Sequence, residues 1–252
     1  MNYHWNWGIF FDLSENGRDT WLALLFHGLG WTLLTALCAG IIALVVGSVV
    51  GVVRTTPNRW AVRIGNGYVE IFRNIPLLVQ LFLWYFVFPE VIPKGMGDAI
   101  KAMHPPWASF VPAVIGLGLF TSARVAEQVR AGIQSLPRGQ SMAGTALGLT
   151  LPQTYRYVLL PMAYRIILPP MTSEVMNLIK NTSVALTIGL IELTAAARSM
   201  QEFTFQVFEA FTAATIIYIV VNLVVVTIMR RVERRVSVPG FIGPASVGTG
   251  GH

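Results

Sequence analysis

The side chains in this sequence that could do chemistry stand where ionisable groups are costly. Glu70, Arg73, Arg124, Glu127, Glu174 and Lys180 are embedded in stretches otherwise dominated by Leu, Ile, Val, Phe and Ala. A charge at the middle of a bilayer costs at least about 2.5 kcal/mol on insertion scales, so such groups are expected to face protein or a water-filled path. Asn66, Arg73 and Gln80 recur every seven residues with Glu70 between them, which sets four polar side chains along one helical stripe despite a bend expected at Pro76. Glu174, Asn177 and Asn181 repeat the pattern further along. Two readings stay open. One is a shared polar cavity that takes a ligand. The other is internal i,i+3 pairing, Glu70 with Arg73 and Arg124 with Glu127, which locks helices and touches no ligand. The joint occurrence of these groups on three apolar segments favours the cavity.

The elements that must position them are membrane spans. Of 252 residues, 54% are hydrophobic and 12% charged, about half the charge of a soluble domain. No charge occurs between Asp19 and Arg54, Arg73 and Glu90, Lys101 and Arg124, or Glu209 and Arg230. A bilayer core about 30 Å thick needs roughly 20 helical residues, which three of these gaps supply outright. The Arg73 to Glu90 gap becomes long enough if its helix starts near Gly65 and takes Glu70 and Arg73 with it. A fifth span, residues 166–190, is interrupted by polar groups and rests on the positive-inside rule. With five spans and the N-terminus outside, the outer segments hold Arg18, Lys94, Lys101 and Arg198 against eight acidic residues. The Arg54, Arg59, Arg63 loop and the Arg230, Arg231, Arg234, Arg235 cluster then lie inside, whereas four spans would expose one of them outside. The expected fold is therefore an all-α polytopic membrane protein. Residues 1–25 form an outer segment, 26–235 a five-helix domain and 236–252 a flexible inner tail.

Several other classes lose ground on the same residues. The net charge of +6 follows from topology, and a nucleic-acid-binding role has no basic domain to rest on. Residues 1–20 lack a basic start and carry Asp12, Glu15 and Asp19, unlike a cleaved signal peptide. The lone Cys38 reads as a small apolar residue. His4, His27, His104 and His252 show no metal-ligand spacing, and no Gly-rich phosphate loop occurs, so neither a metal or other cofactor nor ATP hydrolysis by this chain is expected. Gly47 and Gly51 have the small-xxx-small spacing of close helix contacts, of which a dimer seam is one use. Residues 192–211 read as an amphipathic outer helix: a plain connector, a gate or a receptor-docking surface.

The stretch GLTLPQTYRYVLLP, residues 148–161, is too structured for a tether. A helix over Arg138 to Leu147, a Gly bend and a second helix capped by Thr150 are expected, with Pro152 near its start and Pro161 stopping it. Ala143, Ala146, Leu147 and Leu149 become small apolar knobs on this pair. The pair could simply lie on the lipid interface. Spacing says more. Met142 to Pro161 resembles the cytosolic motif of bacterial ATP-binding-cassette importer permeases: Glu-Ala-Ala, three residues, Gly, nine residues, Ile, one residue, Leu-Pro. Ala143, Gly148, Val158 and Leu160-Pro161 occupy matching positions, while Met142 and Gly144 depart from it. VEIFRNIPLLVQLFLWYF (69–86), EQVRAGIQSLPRGQ (127–140) and IKNTSVALTIGLIEL (179–193) resemble the polar amino acid branch of those permeases, its glutamate/aspartate importers above all, and the likeness covers nearly the whole chain.

That resemblance implies a type I importer permease fold in a bacterial inner membrane, N-terminus periplasmic and C-terminus cytosolic. It implies coupling helices at about 137–160 that dock on separate ATPase subunits through Ala143, Ala146, Leu147, Gly148, Leu149, Leu160 and Pro161. A second homologous permease or a second copy, a periplasmic solute-binding protein and the lipid bilayer complete the implied partners. An amino acid brings an ammonium and a carboxylate, and an acidic one a second carboxylate, so the cavity needs acceptors, donors and a surplus cation. Arg124 is the first candidate, because a guanidinium grips a carboxylate with two parallel hydrogen bonds. In the branch this position resembles an aromatic site, so arginine departs in a direction that suits an anion. Glu127, Glu70, Arg73 and Gln80 are expected beside it, with Lys180, Thr182 and Ser183 as second choices. An ion-driven secondary transporter would couple through Glu127 or Glu174, but five spans without an inverted repeat count against it. An intramembrane enzyme would need a facing nucleophile and base, which the spans lack.

Overall fold

The computed structural model describes residues 3–236, and no strand occurs among them; the inner tail expected over 236–252 lies, beyond Val236, outside the described residues. The Thr20 hydroxyl accepts from the Ala23 amide at 3.2 Å and so opens α1 (Trp21–Val53). Asn58 caps α2 (Arg59–Asn74) through bonds from Trp60 and Ala61. At Pro76 the chain turns into α3 (Leu77–Phe82), which runs through a π turn (Leu83–Val87) into the one-turn α4 (Phe88–Val91). A short α5 (Lys94–Lys101) leads to α6 (Trp107–Gln134). Then come α7 (Arg138–Ala146), α8 (Leu151–Thr154), a π turn (Tyr155–Leu159) and α9 (Leu160–Asn181). A 3-10 turn (Thr182–Ile188), α10 (Leu193–Thr204) and α11 (Val207–Val236) finish the described chain.

Three helices, α1, α6 and α11, are long and apolar enough to cross a bilayer, and two bent pairs bring the number to as many as five. One pair joins α2 to the Leu77–Val91 run at 103°, and the other joins the Leu151–Ile188 run to α10 at 51°. The first angle corrects the single stripe expected over Asn66, Glu70, Arg73 and Gln80. Proline at 76 gives no amide to the α2 ladder, and its ring pushes Ile75 to extended backbone. The two halves therefore part company and cannot share a face.

The centre of the bundle is α6, two-thirds of whose most apolar window is buried, against 28% for α1 and 6% for α11. Lipid offers no hydrophobic drive for helices to associate, so close van der Waals contact has to supply it, and small residues allow that contact. On α1 a stripe of Gly28, Thr32, Thr35, Ala36, Ala39, Ala43, Gly47 and Gly51 is buried. A β-carbon added at Gly47 would lie 2.6 Å from Val125 Cβ, and one at Gly51 2.7 Å from Val129 Cβ. Gly47 and Gly51 thus seat α6 of the same chain. On the other side of α6, Gly132 meets α9, where an added Cβ would be 2.5 Å from Ile167 Cγ2. Two apolar clusters are the largest in the bundle. One is built on Leu81, Leu117, Leu178 and Leu190, the other on Val125, Val129, Tyr155, Leu159 and Ile167.

Pro161 does not stop a helix as its type suggests. It sits in the first turn of α9, and the π turn before it widens the helix where proline can give no amide, so the chain runs from Leu151 to Asn181 without a break.

Candidate functional site

A cavity of about 360 Å³ opens between α2, α6 and α9, lined by Arg73, Phe120, Arg124, Glu127, Gln128 and Glu174. Its charges come from these three helices, of which α6 and α9 are held close by the Gly132 contact. Glu127, on α6, is fully engaged. Its Oε1 accepts from Arg54 Nη2 at 2.9 Å and from Arg73 Nη1 at 3.4 Å, while Oε2 accepts from Arg130 Nε and Nη2 at 3.1 and 3.0 Å. Arg54, at the end of α1, is 7% exposed and also donates through Nε to Asn66 Oδ1 at 2.7 Å. Its Nη1 is buried with no partner.

Arg124 and Glu174 are held loosely by comparison. They approach each other only to 4.0 Å, and the Arg124 guanidinium lies 5.1 Å from the centre of the Phe120 ring. Glu174 Oε2 is enclosed with no hydrogen bond, and the Glu174 side chain is 13% exposed. Four arginines thus face two carboxylates around this space. One carboxylate is spent on three of them, and the other keeps an open acceptor beside a guanidinium with donors to spare. The arrangement can hold a small zwitterion that carries extra negative charge: carboxylates to Arg124 and Arg73, ammonium to Glu174.

Of the residues expected here, Arg73, Arg124 and Glu127 meet in the cavity. The alternative of internal pairing, Glu70 with Arg73 and Arg124 with Glu127, is not what the side chains do: Arg73 reaches Glu127 and Arg124 approaches Glu174, contacts between helices. Glu70 is exposed on α2 away from the cavity. Gln80 is buried across the bend, where its amide donates to the carbonyls of Phe72 and Ile75 at 2.9 Å and satisfies the end of α2. Lys180 and Ser183 line a separate, mostly apolar groove of about 540 Å³ against α11, with Tyr218 and Asn222. Thr182 is fully buried and returns its hydroxyl to the Ile179 carbonyl at 2.7 Å. Arg54, Phe120 and Gln128 are not among the residues the sequence points to for this site, and Glu174 enters there in a polar stripe and as a coupling carboxylate of the ion-driven alternative rather than as a ligand contact. The signal for Glu174 was its isolation as a carboxylate within a span. For Arg54 none existed, since a cation just past a span reads as topology.

A second feature lies at one end of the bundle. Helix α7 ends in a turn where Gly148 takes φ +73°. The Gly148 amide donates to Thr145 and the Leu149 amide to Gly144, at 2.9 and 3.1 Å, the paired bonds of a left-handed helix stop. Gln153 Oε1 then accepts from the Thr150 amide at 2.8 Å and opens α8. Gly144, which departs from the motif, packs on α8: an added Cβ would be 2.9 Å from Thr154 Cγ2. Met142 and Leu147 are 69% and 79% exposed, and Ala143 and Ala146 are exposed with them. Leu149 and Leu160 are half-buried and Pro161 is exposed. The hairpin hangs on α1 through Tyr155, whose hydroxyl donates to the Thr55 carbonyl at 2.8 Å and lies 3.0 Å from the Thr55 hydroxyl.

A polytopic helical bundle with a charged internal cavity and an exposed, capped hairpin at one end is the architecture of a membrane permease component. Residues 43–238 match the family described as binding-protein-dependent transport system inner membrane component, and the chain belongs to it. The chain is 50% identical to the glutamate/aspartate import permease protein GltJ of Escherichia coli (strain K12), over 96% of this chain and 99% of that one. It is 35% identical to the probable amino-acid ABC transporter permease protein PatM of Vibrio harveyi, over 78% of this chain and 84% of the other. A solved structure described as an amino acid ABC transporter with histidines superposes with a TM-score of 0.71 at 31% identity, covering 85% of this chain and 95% of that one.

Proposed function

We propose that this chain is the membrane permease subunit of an ATP-driven importer of acidic amino acids, glutamate and aspartate. The observation that carries the reading is the surplus of guanidinium around one unengaged carboxylate oxygen in the cavity. Identity to a glutamate/aspartate permease along nearly the full chain supports it. Arg124 takes a carboxylate of the ligand, Arg73 the second and Glu174 the ammonium, while Glu127 keeps the arginines in place. Residues 26–235 form the transport domain and 137–160 its coupling helices, which present Met142, Ala143, Ala146 and Leu147 to a separate ATPase subunit. A second permease chain, like or unlike this one, completes the pathway, and a solute-binding protein delivers substrate from outside. The N-terminus faces the periplasm and the end of α11 the cytosol, an orientation that the positive-inside rule supports through Arg54, Arg59, Arg63 and the α11 arginines.

The test is uptake and ATP hydrolysis by the complete complex in vesicles. Arg124→Tyr should raise the glutamate or aspartate concentration for half-maximal uptake at least about tenfold, the loss of one charge-assisted bond pair, with assembly intact. Unchanged uptake kinetics would remove Arg124 from the site. Cysteines at Ala146 or Leu149, in a Cys38→Ser background, should crosslink to the ATPase. Labelling of either from the periplasmic side alone would overturn the topology.

A further inference from the structure

The first residues of the described chain fold back over the start of α11 and form a cap outside the matched family region, which begins at residue 43. Ile9 and Phe10 tuck inward against Trp21, Met200 and Ala210. The fully buried Glu209 carboxylate fixes the chain above them: the Tyr3 hydroxyl donates to Oε2, and the Asn6 amide donates to Oε1 at 2.8 Å. With the segment pinned, its large aromatics point outward. Trp5, Trp7 and Phe11 are 60%, 51% and 74% exposed. The rings of Trp5 and Trp7 stack at 5.8 Å, and Phe208 of α11 closes on Trp5 at 5.6 Å.

Each such ring carries roughly 150–250 Å² of mostly apolar surface, so the group exceeds the scattered exposure of an ordinary soluble face. The patch continues through Phe208 and Phe211 onto the exposed apolar side of α11, the side a bilayer covers. A tryptophan ring with one N–H suits the headgroup layer, where one edge is wet and the body is not. Charge points the same way. No Lys or Arg precedes Arg18, while Asp12 and Glu15 do, so the attraction is apolar rather than electrostatic.

We infer that Trp5, Trp7 and Phe11 form an interfacial anchor that seats the outer end of α11 in the lipid headgroup layer, without a requirement for anionic lipid. The experiment uses the assembled transporter, still hydrolysing ATP, in phosphatidylcholine vesicles. Fluorophores are placed singly by Trp5→Cys, Trp7→Cys and, as a reference in the exposed turn, Arg18→Cys, each in the Cys38→Ser background. Labels at 5 and 7 should be quenched by a headgroup-borne nitroxide and be several-fold less accessible to aqueous iodide than the label at 18. High salt or added anionic lipid should change neither. Iodide access equal to the reference, or shielding that appears only when the solute-binding protein is added, would overturn the inference.

Discussion

Glu127 is the one anion among three cations, and this imbalance sets how its loss should behave. Glu127→Gln keeps the shape and removes the charge, leaving Arg54 at 7% exposure with no compensating carboxylate and with Nη1 already unpartnered. Breaking a buried pair from one side costs about 3–5 kcal/mol. The Glu127 side chain is 24% exposed, so partial screening brings the expected loss to about 2–3 kcal/mol. At about 2–4 °C per kcal/mol for a chain of this size, the complex should melt some 4–12 °C lower. Arg73→Gln, at a side chain 55% exposed, should cost no more than about 1 kcal/mol. The assay is thermal unfolding of the purified complex in detergent, with Glu127→Leu, Arg54→Met and the Arg54→Met/Glu127→Leu double variant beside Glu127→Gln. The double variant should recover most of what Glu127→Leu loses, because it removes the stranded charge. Equal melting of Glu127→Gln and wild type, or strict additivity of the pair, would refute the reasoning.

Two glycines on α1 should respond with opposite sign. Gly47→Ala puts a methyl 2.6 Å from Val125 Cβ and should destabilise by about 1–3 kcal/mol, whereas Gly30→Ala meets nothing within 4 Å and should be neutral or stabilising by up to about 1 kcal/mol. Thermal melts of the two variants side by side decide it. Gly148→Ala meets no atom but must hold φ +73°, so about 1–2 kcal/mol should be lost at the hairpin and ATP-coupled uptake should fall. Gly148→Asn should restore much of both, since asparagine visits that backbone region more readily.

Much of the helix order could be read from hydropathy and charge gaps, because a lipid-crossing segment must satisfy its own backbone and so writes a long apolar run. The span over residues 166–190 needed the charge rule, and α9 and the 3-10 turn lie there. What failed did so at prolines. Pro76 turned an expected stripe into a 103° bend and sent Gln80 to mend the break. Pro161 became part of a helix start because a π turn absorbed its missing donor. The cavity was half legible: charges inside apolar runs marked Arg73, Arg124 and Glu127, but which helix faces which is settled by contacts such as Gly47 on Val125 and Gly132 on Ile167. Sequence proximity therefore does not give the partners of Arg73 and Arg124, and Arg54 reads as an ordinary inner-loop cation.

Neighbouring residues at the foot of α1 are tied to different parts of the molecule. Arg54 reaches up to the Glu127 carboxylate, and Thr55 is gripped by Tyr155 at the root of the hairpin. One peptide unit thus serves as a knuckle that ties the charge cluster beside the cavity to the hairpin projecting from the bundle, with a single backbone step between them.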